Sequence, residues 1–190
     1  MFPMLSHTGR VLGFGGRTLK KDAKVAKYLN SPESEIYHKS KILYGIFQAK
    51  SHIAREEECF LVEGYTDVIS LHQAGVRNVV ASSGTALTVD QILLIKRYTP
   101  NITLLYDGDP AGIKASLRGI DLILEQGMQV NVVLFPDGDD PDSYSKRVST
   151  VELKDYLKTA KQNFLRFKAE LLLSNGGDDP LAKANAAREM

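Results

Sequence analysis

The chain has 190 residues, of which 43% are hydrophobic and 25% charged, and 24 basic against 23 acidic residues leave a net charge of +1. This length suits one domain with an appended subdomain, and it can bury a core without disulfides or a structural metal. The single cysteine, Cys59, excludes an intrachain disulfide and a Cys-x-x-Cys zinc site, and no apolar run in the sequence could cross a bilayer. We therefore expect a soluble, globular protein of a reducing compartment.

Charge is segregated along the chain. Residues 1–55 hold ten Lys and Arg against three Asp and Glu, residues 56–145 hold five against fourteen, and residues 146–190 hold nine against six, for net charges of +7, −9 and +3. A basic block beside an acidic one is typical of a polyanion-binding surface next to a metal site. Two ordinary solvated surfaces of opposite sign are the open alternative.

The first block predicts β-structure followed by a helix. Residues 9–19 (GRVLGFGGRTL) are predicted to form two β-segments around a tight turn at the glycines of residues 13–16. Ser31-Pro32 predicts the start of a helix that runs through Phe47. The glycine-rich segment lacks the spacing of a dinucleotide-binding fingerprint, and the sequence contains no P-loop.

The middle block alternates short β-rich runs with amphipathic stretches. The predicted strands are residues 59–62, 79–81, 101–106 and 130–135, and the predicted helices are residues 66–73, a segment opened by a capping box at 88–91, and residues 111–126. This alternation predicts a parallel sheet with helices on both faces. Residues 151–173 are predicted to be helical and residues 174–180 to form a turn.

Acidic residues follow three of the four predicted strands. They are Glu63 and Asp67 after the first strand, Asp107 and Asp109 after the third, and Asp140 and Asp142 after the fourth. Ligands of parallel sheets bind beyond the carboxyl ends of the strands, and clustered carboxylates select Mg²⁺ or Mn²⁺. Two such ions would support phosphoryl transfer. Alternatively, these residues form turns, and Asp109 caps the following helix.

These motifs resemble the TOPRIM module found in bacterial primases, topoisomerases and some nucleases. The resemblance rests on residues 63–67 (EGYTD), 107–112 (DGDPAG) and 136–142 (PDGDDPD). Residues 9–17, 27–33 and 38–45 are similar to the basic N-terminal half of the RNA polymerase domain of DnaG-type bacterial DNA primases.

The resemblance implies an α/β fold with three parts. A basic α+β subdomain would occupy residues 1–56, a TOPRIM module with a Rossmann-like parallel sheet residues 57–145, and the start of a C-terminal helical subdomain residues 146–190. The implied activity is that of a nucleotidyltransferase, a DNA-directed RNA polymerase of the primase type. It would make short RNA primers on single-stranded DNA from NTPs and release pyrophosphate.

The resemblance also implies site residues and partners. The implied catalytic residues are Glu63, Asp107 and Asp109. The implied metal ligands are these three residues with Asp67, Asp140 and Asp142. The implied nucleic-acid or NTP contacts are Arg10, Arg17, Lys27, Asn30 and Lys39. The cofactors would be two Mg²⁺ or Mn²⁺ ions, without zinc in this part. The partners would be template DNA, NTPs, the nascent RNA primer and, through a domain absent from this chain, the replicative helicase at the replication fork. We expect a monomeric core fragment that has no membrane contact.

Two other classes of protein remain open. A haloacid-dehalogenase-like phosphatase would use Asp107 as a covalent nucleophile, but it leaves Glu63 and the basic block unexplained. A non-catalytic TOPRIM scaffold would bind nucleic acid with vestigial carboxylates. The complete set of acidic residues favours the primase.

Overall fold

The computed structural model describes residues 1–19, 28–84, 86–107 and 119–169. The strands are β1 (Phe2–Leu5), β2 (Val11–Arg17), β3 (Tyr28–Asn30), β4 (Cys59–Val62), β5 (Val79–Ala81), β6 (Asn101–Tyr106), β7 (Gln129–Leu134) and β8 (Gln162–Asn163). The helices are α1 (Ile46–Glu56), α2 (Tyr65–Gln73), α3 (Val89–Lys96), α5 (Pro141–Arg147) and α6 (Thr150–Thr159), and two more are described in part, α4 over 119–125 and α7 over 164–169. Residues 111–118 of the predicted helix 111–126 lie outside the described residues.

The larger sheet has the order β5-β4-β6-β7-β8. Strands β4 to β7 are parallel, and the two-residue strand β8 pairs antiparallel with β7. Strands β4, β5 and β6 have the bounds predicted from the sequence, and β7 begins and ends one residue earlier than predicted. The capping box that opens α3 is also confirmed, because Thr88 Oγ1 accepts a hydrogen bond from the Gln91 amide.

Helices cover both faces of this sheet, as predicted. Alternate residues of a strand point to opposite faces, so each strand contributes to two cores. Leu61 of β4 packs on one face with residues of α1, α3, α4 and α7, whereas Val62 packs on the other face with residues of α2, α5 and α6. The result is a three-layer α/β/α arrangement that leaves the carboxyl ends of the strands accessible.

The smaller sheet is an antiparallel meander of β1, β2 and β3. The predicted tight turn at residues 13–16 is wrong, because all four residues lie inside the single strand β2. Two of these glycines are needed for close packing instead: a Cβ at Gly13 would lie 2.9 Å from the Tyr37 ring, and a Cβ at Gly15 would lie 2.8 Å from the Tyr65 ring. The turn of the β1–β2 hairpin contains Gly9, which has a φ of +93°.

The helix predicted from Ser31-Pro32 to Phe47 is also wrong in its first part. Residues 31–45 are not α-helical and contain only a 3-10 turn at Lys39–Lys41. Tyr44 is held extended by an antiparallel bridge to Ala81, and Gly45 has a φ of +84°. Helix α1 therefore begins only after Gly45, at Ile46.

The predicted helix 151–173 is interrupted in the structure. Leu157 of α6 packs on one face of the parallel sheet and Phe164 of α7 on the opposite face. Because the chain crosses the edge of the sheet between them, it forms β8 instead of continuing the helix. Residues 170–173 and the predicted turn at 174–180 lie outside the described residues.

The proposed boundary after residue 56 stays a prediction. Helix α1 precedes that boundary, yet its buried residues Ile46, Ala49 and Ile53 belong to the core of the parallel sheet. In the part of the chain that the structure describes, no helix combines the length and the apolar character of a transmembrane span.

Candidate active site at the carboxyl edge of the sheet

A cleft of about 490 Å³ lies at the carboxyl ends of β4, β5 and β6. Acidic residues Glu63, Asp67, Asp107 and Asp140 line it, together with the loop after β5. Its opposite wall includes Asn30, from the end of β3. The parallel sheet and the N-terminal sheet thus contribute to the same cleft.

Glu63 and Asp107 directly follow β4 and β6, which are neighbours in the sheet. Both residues are exposed to solvent when the surface of the whole residue is considered. Partial burial of the carboxyl group and the nearby charge of Asp107 nevertheless raise the pKa of Glu63. The two carboxylates therefore lie close enough to repel each other, as the parallel strands predict.

Asp67 follows Glu63 along the chain and lies in the first turn of α2. Its Oδ2 accepts a hydrogen bond of 3.0 Å from the Gly64 amide. Burial raises the pKa of Asp67 to about 7, opposed by this hydrogen bond and reinforced by the charges of Asp140, Asp107 and Asp142. Among the described residues, no basic side chain forms an ion pair with Asp67 or Glu63.

Asp140 and Asp142 lie at the start of α5 and have structural contacts of their own. Asp140 caps the helix, because its Oδ1 accepts a hydrogen bond of 2.6 Å from the Ser143 amide. Asp142 lies 2.7 Å from Lys146 Nζ and accepts a hydrogen bond from Ser70. Burial opposes ionisation of Asp142, but these hydrogen bonds and the charges of Lys146 and Arg17 lower its pKa.

The donor set suits a hard divalent cation. Carboxylate oxygens from the ends of two adjacent strands line one cleft. Burial, and after it the charge of neighbouring acids, raises the pKa of Glu63 and of Asp67, and a bound cation would relieve this repulsion. No three His, Cys, Asp or Glu side chains within the described ranges stand close enough together to hold a metal alone. Mg²⁺ requires only one or two carboxylates when water and substrate phosphates complete its shell. Asp109 lies outside the described residues.

The predicted nucleic-acid contacts are distributed unevenly. Asn30 lines the cleft, and the exposed Arg17 lies near enough to Asp142 to affect its pKa. Lys39 lies beside the start of α3, where its carbonyl accepts a hydrogen bond from Gln91 Nε2. Arg10 directly precedes β2, whereas Arg17 is its last residue, so the two lie at opposite ends of this strand. Lys27 lies outside the described residues.

Sequence reasoning assigned no role to three residues that line this cleft, Tyr28, Tyr65 and Ser83. Ser83 follows β5, the one strand whose carboxyl end carries no acid, and its φ of +61° is unusual for a residue other than glycine. The rule that ligands bind beyond the carboxyl ends of strands could have indicated Ser83. Tyr65 lies inside the EGYTD motif, but no local signal shows what its hydroxyl contacts.

A Rossmann-like sheet with acidic residues at its carboxyl edge is typical of proteins of the Toprim class. In agreement, residues 60–145 match a family model described as Toprim-like. Residues 1–50 match a second model, the N-terminal domain of the DNA primase catalytic core.

Individual relatives lead to the same family. The DNA primase of Clostridium acetobutylicum is 48% identical over 148 residues, which are 77% of this chain and 24% of the relative. The RNA polymerase domain of Mycobacterium tuberculosis primase DnaG is 32% identical, with a TM-score of 0.83 and coverage of 98% of this chain and 68% of that one. A DnaG primase catalytic domain bound to ssDNA is 35% identical, with a TM-score of 0.85 and coverage of 99% and 61%.

The chain belongs to the DnaG-type bacterial DNA primase family. It spans between about a quarter and a third of the length of the curated relatives it matches, with coverage of 24% to 34%.

Proposed function

We propose that this chain is the catalytic centre of a primase, a nucleotidyltransferase that makes RNA primers on single-stranded DNA. The observation that carries this proposal is the shared cleft, which Glu63 and Asp107 line together with Asn30 of the N-terminal sheet. In the reaction, a 3′-hydroxyl attacks the α-phosphate of an NTP, the new phosphodiester forms, and pyrophosphate leaves.

The carboxylates of the cleft would hold two Mg²⁺ or Mn²⁺ ions. We assign this role to Glu63, Asp107 and Asp109, with Asp67, Asp140 and Asp142 nearby. When bound, the ions would supply charge stabilisation for the attacking and leaving oxygens. The alternative role for Glu63 is that of the general base, which would accept the proton of the attacking hydroxyl.

The N-terminal sheet would supply the template and nucleotide contacts. Arg17, Lys27 and Lys39 are the proposed phosphate contacts, and Asn30 is the proposed nucleotide contact. Arg10, at the far end of β2, would contact DNA farther from the acids. The DnaG primase catalytic domain bound to ssDNA supports DNA binding as a function of this chain. The same proposal includes a monomeric core in the cytoplasm, and a helicase contact through a domain outside this chain.

The segregated charge agrees with the proposed three-part division at residues 1–56, 57–145 and 146–190. The primase family models favour this function over a phosphatase with Asp107 as nucleophile. A non-catalytic scaffold would keep the fold and DNA binding but would not need the carboxylates.

The proposal is tested by replacing Asp107 with Asn in the full-length protein. We expect Asp107→Asn to abolish primer synthesis and to weaken Mn²⁺ binding measured by electron paramagnetic resonance, while DNA binding persists. Asp155→Asn, an exposed position on α6, is the matched control and should retain both activities. A wild-type protein that binds DNA without making primers would support the scaffold instead.

A further inference from the structure

We propose that Tyr65 is a positioning residue. Through Asn30 and Ser83, its hydroxyl group fixes the position of Glu63 relative to the N-terminal sheet. This inference rests on the proposed function, because it concerns the geometry of the same cleft. Tyr65 is the first residue of α2, two positions after Glu63, and only 2% of its surface is exposed.

Hydrogen bonds join the two walls of the cleft in sequence. The Tyr65 hydroxyl donates to Asn30 Oδ1 at 2.5 Å, and Asn30 Nδ2 donates to the Ser83 carbonyl at 3.4 Å. The Ser83 amide in turn donates to the Glu63 carbonyl at 3.1 Å. The end of β3 is thus connected to the main chain of a proposed catalytic residue.

Ser83 is the residue of this hydrogen-bond network that has the least favourable backbone conformation. It has a φ of +61°, in the left-handed region that favours glycine, and it is buried. A residue in this conformation keeps it only when the surrounding contacts require it. The contacts with Asn30 and Glu63 meet that requirement, so their loss should loosen the loop after β5.

The Tyr65 ring is placed independently of its hydroxyl. Phe2 stacks on it with ring centroids 4.7 Å apart, and Tyr44 packs edge-on at 4.9 Å. Gly15 of β2 provides the necessary space, since a Cβ there would lie 2.8 Å from the ring. These apolar contacts would accept a phenylalanine, so the hydroxyl has a separable role.

Tyr37 provides a matched control in the same small core. It is 1% exposed, clusters with Tyr65 and Met4, and packs over Gly13 as Tyr65 packs over Gly15. Within the described part of the chain, its hydroxyl has no hydrogen-bond partner. Removal of that oxygen should disturb neither the cleft nor its geometry.

The test compares Tyr65→Phe with Tyr37→Phe in the full-length protein. We expect Tyr65→Phe to lower kcat for primer synthesis by about 10-fold or more through misplacement of the acids, with a smaller change in the KM for NTPs. Hydrogen exchange by mass spectrometry should be faster in the peptide containing Ser83. Tyr37→Phe should leave kcat and this exchange unchanged.

Two outcomes would overturn the inference. One is wild-type kcat and wild-type exchange at Ser83 in Tyr65→Phe. The other is an additive result in the double variant. If Tyr65→Phe lowers kcat as much in an Asn30→Ala background as in the wild type, Tyr65 does not act through Asn30, because substitutions that break the same hydrogen bond do not have additive effects. If the wild-type protein makes no primers, but exchange at Ser83 is still faster in Tyr65→Phe, the proposed function is refuted and the contact network is retained.

Discussion

The two edges of the parallel sheet each carry a cleft, but their charges are arranged differently. The cleft at the carboxyl edge has about 490 Å³. A larger cleft of about 580 Å³ lies beside the amino ends of β4 and β5, where Glu58 and Asn78 precede the strands. Its acids are neutralised: Lys161 Nζ lies 2.5 Å from Glu58, and Arg55 Nη2 lies 2.9 Å from Glu56.

The basic residues at the amino edge have an ordinary structural explanation. Arg55 and Lys158 lie in the last turns of α1 and α6, where positive charge offsets the helix dipole. At the carboxyl edge, by contrast, the pKa of Asp67 is raised to about 7 by burial and by other acids. The comparison teaches that uncompensated charge identifies the candidate site better than cleft volume does.

The largest expected effect is on primer synthesis, which should depend on the carboxyl edge of the sheet but not on the amino edge. Glu63→Gln should lower primer synthesis by at least ~1000-fold, because a metal or base contact contributes several kcal/mol to the transition state. Glu58→Gln at the amino edge should keep activity but lose about 1–2 kcal/mol of stability, since Lys161 and Thr103 contact this carboxylate. Primer assays and urea unfolding on both variants check this. Equal losses of activity would remove the distinction between the edges.

The next effect concerns stability and pH in metal-free buffer. The folded pKa of Asp67, about 7, lies above its ordinary value of 3.8. The stability from its protonation is therefore present below about pH 4 and is lost as the pH rises through 7. Asp67→Asn should be more stable than the wild type by a few kcal/mol at pH 8 and nearly equal to it at pH 4. Urea unfolding measures both values. A difference that does not change with pH would contradict the uncompensated burial of Asp67.

A smaller effect tests which basic residues contact DNA. Lys27→Ala with Lys39→Ala should weaken single-stranded DNA binding and flatten the log–log salt dependence by about one unit, because each phosphate contact contributes ~0.7. The control pair, Lys154→Ala with Lys158→Ala, lies at the amino-edge cleft and should leave the slope unchanged. Fluorescence anisotropy at several salt concentrations provides the slopes. If the control pair has the larger effect, the amino edge is the DNA-binding surface.

The smallest effect separates capping from chemistry at Asp140. Asp140→Ala should lose about 1 kcal/mol through the missing cap of α5, whereas Asp140→Asn should keep the cap. If the charge also serves catalysis, both variants will lose activity. Thermal unfolding and primer assays on the two proteins distinguish these roles, and full activity in Asp140→Asn would limit Asp140 to capping.

The parallel sheet and its acids were predictable because their signals are local. Strand β6 is a short β-rich run, and Asp107 follows it directly, so the ordinary rules for parallel sheets place this carboxylate at the ligand-binding edge. The pairing of β4 with β6 then brings Glu63 and Asp107 together. The metal ligands themselves remain a proposal.

The sequence by itself determined the fold class, the family and the edge at which the acids lie, because strand and helix periodicity and short motifs are written in neighbouring residues. Only the tertiary structure decided that residues 13–16 form a strand, since the rings of Tyr37 and Tyr65 that require Gly13 and Gly15 come from distant segments. It likewise decided that β8 interrupts the predicted C-terminal helix, because the chain crosses there between the two faces of the sheet. Contacts between residues far apart in sequence leave no local pattern, so long-range packing alone could establish them.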